Sequence, residues 1–235
     1  MTPRLSVLIP TRTRTGLLHR MLESLVTTAA DLDRLEVVFR IDEDDTETHI
    51  YLSEQALTCW LTMVGHSAIV VGPHLNGYAT LPIMINEAAE AASADLLIVI
   101  NDDVEFKTKG WDARLCEEAA KVPDGIFSLA VDTVLNNANT VFPCQSKRQI
   151  DALGCFFDPR LVYPDIWLRD VLQPFGRVIR VPDVVIEHQW AGQTDDQVRA
   201  INTIVAQPGY WPLYEQCVTE GRAKIQAALT EAVVQ

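Results

Sequence analysis

Short apolar runs alternate with amphipathic segments along the first hundred residues. Four runs are rich in β-branched and large apolar residues, and each ends at a proline, a glycine or polar residues, which predicts strands at residues 5–10, 35–41, 67–71 and 96–100. Apolar residues recur at helical spacing between them, which predicts helices after Thr15, through Ile50, Leu57 and Leu61, and from Thr80 to Ala94. This alternation predicts an α/β fold with a Rossmann-like, mostly parallel sheet and helices on both faces.

The second half of the chain has a looser pattern. It predicts helices at residues 110–121 and 165–172 and short strands at residues 126–131, 178–181 and 184–186. Two weakly amphipathic helical stretches follow, around residues 198–205 and 214–232, with the turn-prone Pro208-Gly209 between them. No repeat or flexible linker separates these elements, so we expect one domain.

Composition narrows the class of protein. With 235 residues, of which 48% are hydrophobic, the chain has enough apolar material for a sizeable core and is not intrinsically disordered. Its longest apolar runs fall far short of the ~20 residues of a bilayer-spanning helix, and its opening has no secretory pattern, so we expect a cytoplasmic protein that does not enter a membrane. The five cysteines form no Cys-x-x-Cys pair, which favours reduced, mostly buried thiols.

The charge balance is acidic. The chain has 19 Lys and Arg against 32 Asp and Glu, a formal net charge of -13. Sequence-independent attraction to nucleic acid or to anionic membranes requires a surplus of basic residues near the contact. Both kinds of partner are therefore disfavoured, while a local basic patch remains compatible with the composition.

Three of the predicted strands are followed by polar segments. These are residues 10–16, which include Arg12 and Arg14, the acidic residues 42–45, and residues 101–104. In open parallel sheets ligands bind outside the carboxyl ends of the strands, so we expect the three loops to converge on one site. Guanidinium groups at such a place suit a phosphate; the alternative is that both arginines are surface charges.

Asp102 and Asp103 give the sharpest chemical signal. A buried apolar strand delivers both carboxylates to its exposed end, where their oxygens suit a hard divalent cation such as Mg²⁺ or Mn²⁺. A cation that bridges a diphosphate would neutralise leaving-group charge. The structural alternative is that the pair ends the strand or caps a helix, which is the commoner role of an isolated Asp-Asp pair.

Several segments together resemble the GT-A fold glycosyltransferases of the family 2 type. In order they are Ser6-Val-Leu-Ile-Pro-Thr-Arg12, Asp42, Asn76-Gly77 leading to Asn86-Glu-Ala-Ala89, Leu97-Ile-Val-Ile-Asn-Asp-Asp103, Tyr163-Pro-Asp-Ile-Trp-Leu-Arg-Asp170 and Val185-Ile-Glu-His188. Each motif is loose, but their order and spacing are collectively specific. The resemblance implies a catalytic domain over residues 1–190, with a nucleotide-sugar-binding half to about residue 103 and an acceptor-side half beyond it, and a C-terminal helical extension over residues 191–235.

The resemblance also implies roles for individual residues. The nucleotide-sugar donor would be bound by Pro10, Thr11, Arg12, Arg14, Asp42, Asn76, Asn86 and Asp102. Asp103, with Asp102 beside it and His188 as a further ligand, would bind Mn²⁺ or Mg²⁺, and Asp165 would be the general base. The sequence departs from the family motif at Asn101, which replaces its first acid and makes a contact there neutral.

The implied reaction is an inverting transfer of a sugar from a nucleotide-diphosphate sugar, with UDP-sugars favoured, to a hydroxyl acceptor. Retention of configuration is the alternative outcome. The acceptor stays open between a saccharide and, less favoured because of the acidic charge, a hydroxymethylated DNA base. The basic residues nearest the proposed site would make only a modest patch for a polyanion: Lys147, Arg148, Arg160 and Arg169.

Three rival functions remain. A nucleotidyltransferase of related fold normally has a glycine-rich loop after its first strand, whereas this loop has no glycine before Gly16. A metal-dependent phosphoesterase would need more His and Asp ligands than the five histidines readily provide. A non-catalytic nucleotide-sugar-binding protein is favoured by Asn101 and disfavoured by the presence of Asp165 and His188.

Overall fold

The structure, a computed structural model, describes residues 4–54, 60, 62–75, 78–134, 141–189 and 195–234. The predicted donor residue Asn76 lies outside the described residues, as do Leu57 and Leu61 of the second predicted helix. Within the described ranges, no helix is both long and apolar enough to cross a membrane.

The described residues form one eight-stranded mixed sheet in the order β3-β2-β1-β4-β7-β6-β8-β5. The strands β1 to β4 are mutually parallel where they pair, β7 is antiparallel to both β4 and β6, β8 is parallel to β6, and β5 is antiparallel to β8. The strands are β1 (Leu5–Pro10), β2 (Leu35–Asp42), β3 (His66–Gly72), β4 (Leu96–Val99), β5 (Val104–Phe106), β6 (Ser128–Asp132), β7 (Pro143–Ser146) and β8 (Val178–His188).

Helices connect and flank these strands. In the described residues they are α1 (Thr15–Thr28), α2 (Thr46–Ser53), α3 (Leu81–Ala91), α4 (Trp111–Ala119), α5 (Lys147–Leu153), α6 (Pro164–Leu172), α7 (Asp195–Val205) and α8 (Tyr210–Val234). Short 3₁₀ turns occur at Leu32–Arg34, Tyr78–Thr80 and Gln173–Phe175. The α/β class predicted from the sequence is confirmed, and the parallel arrangement covers its first four strands.

The second half of the sheet differs from the predicted pattern. β5 has only three residues and β7 begins at Pro143, so neither has the apolar alternation that predicts a strand. The two short strands predicted on either side of Pro182 are one strand, β8, because an irregularity in the pairing with β6 takes up the extra residues: Val131 pairs with Val181, whereas Asp132 pairs with Val185. Such a bulge accommodates a proline, which has no N–H for the ladder.

Two hydrophobic cores cover the two faces of the sheet. Alternate residues of a strand point to opposite faces, so Val7 and Ile9 of β1 join α1 and α4 in one core, whereas Leu8 joins α3 in the other. The second core also includes residues of α6, among them Trp167 and Leu168. Helices cover both faces of the sheet, and the ends of the strands remain uncovered by these helices.

The C-terminal helices belong to the second core. Ile201 of α7 and Tyr214, Cys217 and Ile225 of α8 are buried in the same cluster as the residues of α3 and α6. Residues 195–234 thus pack on the sheet-covering helices. The predicted boundary near residue 190 stays a prediction.

Candidate functional site

The loops that follow β1 and β4 meet at the carboxyl ends of these adjacent parallel strands. Thr11 is buried directly after β1, and its hydroxyl donates a hydrogen bond to Asp102 Oδ2 at 2.7 Å. Asp102 and Asp103 form the turn between β4 and β5, and both are buried. Because β1 pairs in parallel with β4, their ends lie side by side, as the sequence predicted for ligand-binding loops.

Arg14 lies against both carboxylates of this turn. Its Nη2 is 2.5 Å from Asp102 Oδ1, and its Nη1 is 3.1 Å from Asp103 Oδ2. On the other side, His188 Nε2 lies 3.1 Å from Asp103 Oδ1. The structure therefore brings together five predicted site residues from three separate parts of the chain: Thr11, Arg14, Asp102, Asp103 and His188.

The end of β8 positions His188. Val104 of β5 is its register partner, and the amide of Gln189 donates a hydrogen bond to the Asp103 carbonyl at 2.8 Å. The Phe142 ring packs edge-on against the imidazole, with 5.6 Å between the ring centroids. These contacts fix the imidazole beside the acidic pair.

The two neighbouring aspartates have opposite pKa shifts. Burial raises the pKa of Asp102 to about 6, although the Arg14 charge and the Thr11 hydrogen bond oppose this. Burial also raises the pKa of Asp103, but the hydrogen bond and charge of His188 and the contact with Arg14 outweigh it, so its pKa lies below the usual aspartate range. Both carboxylates are therefore mainly ionised at neutral pH.

The acidic pair and His188 fit a divalent cation. Asp102 Oδ1 is buried, and although Arg14 Nη2 lies 2.5 Å away as an ion-pair partner, no group of the described residues donates to this oxygen with hydrogen-bond geometry. The 3.1 Å between Asp103 Oδ1 and His188 Nε2 is close to the roughly 3 Å that separates adjacent ligands of an octahedral ion with bonds of about 2.1 Å. Within the described ranges, no group of three or more His, Cys, Asp or Glu side chains is already arranged to hold a metal, and the Arg14 guanidinium contacts both carboxylates instead.

A second cluster lies at the end of β2, beside the first. Asp42 is buried and accepts from two guanidinium groups, that of Arg12 at 2.9 Å and that of Arg40 at 2.7 Å. Arg12 also pairs with Asp44 at 2.6 Å. The predicted donor residues Arg12 and Asp42 are thus in direct contact with each other.

Arg40 was missed in the sequence analysis. Its side chain is fully buried in β2, where it pairs with Asp42 and with Glu87 of α3. A Cβ on Gly72 of the neighbouring strand would lie 2.6 Å from Arg40 Nη2, so the glycine leaves room for the guanidinium. The available signal was a lone arginine inside an apolar run that ends in an aspartate, a pattern that indicates a buried ion pair.

Asn86 supports a loop. Its side chain accepts from the amides of Phe156 and Phe157 at 2.9 and 3.0 Å and donates to the Phe157 carbonyl at 2.8 Å. It also lines a cavity of about 640 Å³ between α3, α5 and α8, which differs from the cavity next to the acidic pair. Its predicted contact with the donor remains a prediction.

Asp165 lies in the first turn of α6 and is half-buried. Burial raises its pKa above the usual value, while backbone hydrogen bonds and the charge of Arg169 oppose the rise. A carboxylate with a raised pKa accepts a proton more readily than an ordinary aspartate, which suits a base. Its role as the general base stays a prediction.

A cavity of about 390 Å³ opens beside the acidic pair, between α1 and β5. Asp102, Asp103 and Gln189 line one side, and the side chains of Arg20 and Ser24 line the other. The sequence gives no signal for these α1 residues, because on a helix they are part of an ordinary polar face. The acidic pair therefore borders this cavity.

Comparisons with known proteins identify the fold. No protein-family model and no curated protein matches the sequence. Among solved structures, the mannosyltransferase PcManGT from Pyrobaculum calidifontis, in complex with GDP-Man and Mn²⁺, has a TM-score of 0.62 at 14% identity, and the match covers 100% of this chain and 76% of that one.

Two further solved structures are similar. TarS 1-349 from S. aureus, in complex with UDP, has a TM-score of 0.58 at 12% identity, covering 93% of this chain and 70% of that one. Glucosyl-3-phosphoglycerate synthase from Mycobacterium tuberculosis, in complex with Mn²⁺, UDP and glucosyl-3-phosphoglycerate, has a TM-score of 0.57 at 15% identity, covering 86% and 77%. The chain therefore has the fold of the GT-A glycosyltransferases.

Proposed function

We propose that the protein is a metal-dependent glycosyltransferase that moves a sugar from a nucleotide-diphosphate sugar to a hydroxyl acceptor. The observation that carries the proposal is the cluster of Thr11, Arg14, Asp102, Asp103 and His188 at the carboxyl ends of β1, β4 and β8. It combines a guanidinium suited to phosphate with carboxylate and imidazole ligands suited to Mn²⁺ or Mg²⁺. The three similar structures named above are complexes with nucleotides or nucleotide sugars, and two of them also contain Mn²⁺.

The donor would lie across the ends of β1 and β2. Pro10, Thr11 and Arg12 would line the nucleotide pocket, and Asp42 would contact the base or ribose. The contact of Arg12 with Asp42 orients both groups at this edge. We favour a UDP-sugar, although GDP-Man is bound in the mannosyltransferase structure.

Asp103, Asp102 and His188 would hold the divalent cation. When bound, the cation would stabilise the negative charge of the departing diphosphate. The arginines of the β1 loop add fixed positive charge on the same side, and the buried position of Asp102 and Asp103 strengthens each of these interactions.

Asp165 would act as the general base of an inverting displacement. Its carboxylate takes the proton of the acceptor hydroxyl as that oxygen forms a bond to the anomeric carbon, and the bond between that carbon and the diphosphate oxygen breaks with its electron pair on the diphosphate. The raised pKa of Asp165 supports this assignment. The acceptor would be a saccharide hydroxyl, since the net charge of -13 disfavours the alternative of a hydroxymethylated DNA base.

A panel of nucleotide sugars tests the proposal. The protein is incubated with each donor and Mn²⁺, with and without saccharide acceptors, and the released nucleoside diphosphate is measured. We expect release from one donor class, its loss with EDTA and its loss in Asp103→Ala. The matched control is Asp151→Ala, a carboxylate of the cavity beside Asn86, which should retain release. Absence of binding and release with every donor would rule out the transferase.

A further inference from the structure

The guanidinium of Arg14 contacts the acidic pair through all three of its nitrogens. Nε and Nη2 lie 3.2 and 2.5 Å from the two oxygens of Asp102, and Nη1 lies 3.1 Å from Asp103 Oδ2. A planar guanidinium that reaches two adjacent carboxylates neutralises part of their charge. The carboxylate oxygens that fit a divalent metal ion are therefore already paired with the Arg14 guanidinium.

The backbone next to Arg14 is held in place. Thr13 has a positive φ of 52°, which a β-branched residue rarely adopts. Its amide donates to Asp45 Oδ2 at 3.0 Å and to Thr48 Oγ1 at 3.2 Å, so the start of α2 fixes this conformation. The loop before Arg14 is thus anchored, and α1 begins at the residue after it.

The Arg14 side chain, in contrast, is exposed over 43% of its surface, whereas the carboxylate of Asp102 is fully buried. An exposed arginine head has room to rotate to another partner without movement of the backbone. The diphosphate of a donor bound at the strand ends would be such a partner.

We infer that Arg14 is the resident counter-ion of the acidic pair, and that it links the binding of the metal to that of the donor. With a divalent cation held by Asp102 and Asp103, the Arg14 guanidinium would leave the carboxylates and bind the donor diphosphate. This inference rests on the proposed metal site. It implies that Arg14 opposes the binding of the metal alone and favours the binding of nucleoside diphosphate once the metal is present.

Arg12 provides the matched control. It lies two residues away in the same loop, carries the same charge and is also partly exposed, but its guanidinium pairs with Asp42 and Asp44. A general effect of removing positive charge from this loop would occur in both variants. In Mn²⁺ binding without nucleotide, an effect of the contact with the acidic pair would occur only when Arg14 is replaced.

The first measurement is the affinity for Mn²⁺ in the absence of nucleotide. The electron paramagnetic resonance signal of free Mn²⁺ reports how much of the ion is unbound. Coupling of this kind changes affinity by about 5-fold to 150-fold, so we expect Arg14→Ala to bind Mn²⁺ at least about 5-fold more tightly than the wild type. Arg12→Ala should stay within about 2-fold. Arg14→Gln, which removes the charge but keeps a hydrogen-bond donor, should change the affinity in the same direction as Arg14→Ala.

The second measurement is the binding of UDP at saturating Mn²⁺ by calorimetry. A lost charge-assisted hydrogen bond weakens binding by about 10-fold or more, so Arg14→Ala should bind UDP more weakly while it binds Mn²⁺ more tightly. If the role of Arg14 were only structural, Arg14→Ala would weaken the binding of Mn²⁺ and of UDP alike. Tighter Mn²⁺ binding and weaker UDP binding therefore separate the two explanations.

Three results would overturn the inference: unchanged or weaker Mn²⁺ binding in both Arg14 variants, an equal tightening of Mn²⁺ binding in Arg12→Ala, or no Mn²⁺ binding in any variant. Circular dichroism establishes whether each variant is folded. If Arg14→Ala is not folded, Arg14→Gln takes its place in both binding measurements. Failure of the proposed function is distinguishable from failure of this inference. A protein that releases no nucleoside diphosphate from any donor can still bind Mn²⁺, and the Arg14 variants would then still show whether Arg14 opposes that binding.

Discussion

At the residue scale, the environment of Asp165 determines how it titrates. The carboxyl is half-buried in the first turn of α6, so burial disfavours its charged form, and the helix backbone and Arg169 only partly offset that cost. Arg169 lies one turn further along the same helix. The pKa of this group is therefore set by local burial and by one nearby charge that mutagenesis can remove.

We expect the acidic limb of the pH profile of kcat/KM to lie at a pH above the usual aspartate pKa. A base acts only when ionised, so kcat/KM should fall as the pH drops through the raised pKa of Asp165. Arg169→Ala removes a charge that lowers this pKa and should move the limb to higher pH, whereas Arg169→Lys should restore it. Asp165→Asn should reduce kcat by about 10²-fold or more and leave donor binding intact. Normal transfer by Asp165→Asn would disprove the assignment.

At the element scale, α6 depends on its contact with α8. A Cβ built on Gly221 of α8 would lie 2.7 Å from Val171 Cγ2 and 3.4 Å from the Trp167 ring, so the two helices approach each other where α8 has no side chain. Tyr214, two turns earlier on α8, donates a hydrogen bond to Asp170 at 2.8 Å. The position of the helix that carries Asp165 is thus set partly by the C-terminal helix.

Gly221→Ala should weaken this contact. The added methyl forces the helices apart, and overpacking of this kind costs about 1–3 kcal/mol, which exceeds the gain of about 1 kcal/mol in helix propensity. The free energy of unfolding in urea is the measurement. Gly209→Ala is the control, because a Cβ there meets no atom within 4 Å, and its stability should change by less than about 0.5 kcal/mol. Equal effects of the two substitutions would argue against close packing at Gly221.

At the scale of the whole molecule, the C-terminal helices complete one of the two cores. Trp167, Leu168 and Val171 of α6 are buried in the same cluster as Tyr214, Cys217 and Ile225 of α8. Without α7 and α8 this apolar surface would be exposed to water, at roughly 25 cal/mol for each Å². The predicted extension beyond residue 190 therefore supplies buried surface that the rest of the chain needs.

A chain that ends after residue 190 should fail to fold cooperatively. We expect loss of the near-ultraviolet circular dichroism signal and increased binding of a hydrophobic dye, because the second core loses one of its covering layers. A chain shortened only by residues 231–235 should unfold as the full chain does. If the chain of residues 1–190 were soluble and unfolded in a single transition at the same temperature, the boundary near residue 190 would be that of an independent domain.

The sequence by itself predicted the parallel half of the fold and the place of the site. β1 to β4 and α1 have clear periodicity, which depends only on residues close together in the chain, and the polar segments after β1, β2 and β4 followed from the rule for parallel sheets. The resemblance to the GT-A fold relied on these segments and on residues 76–77, 86–89, 163–170 and 185–188. Thr11, Arg14, Asp102, Asp103 and His188 were all chosen as site residues and do lie together.

Only the tertiary structure decided which partner each group has. The short strands β5 and β7 are stabilised by pairing with β8, β4 and β6, so their own sequences do not indicate them. Two arginines in one loop are equivalent in the sequence, yet Arg12 pairs with Asp42 and Arg14 with the acidic pair, because the order of the strands places a different acid beside each. Burial and ion pairing depend on residues distant in the chain, and the pKa of a carboxyl such as that of Asp102 depends on both.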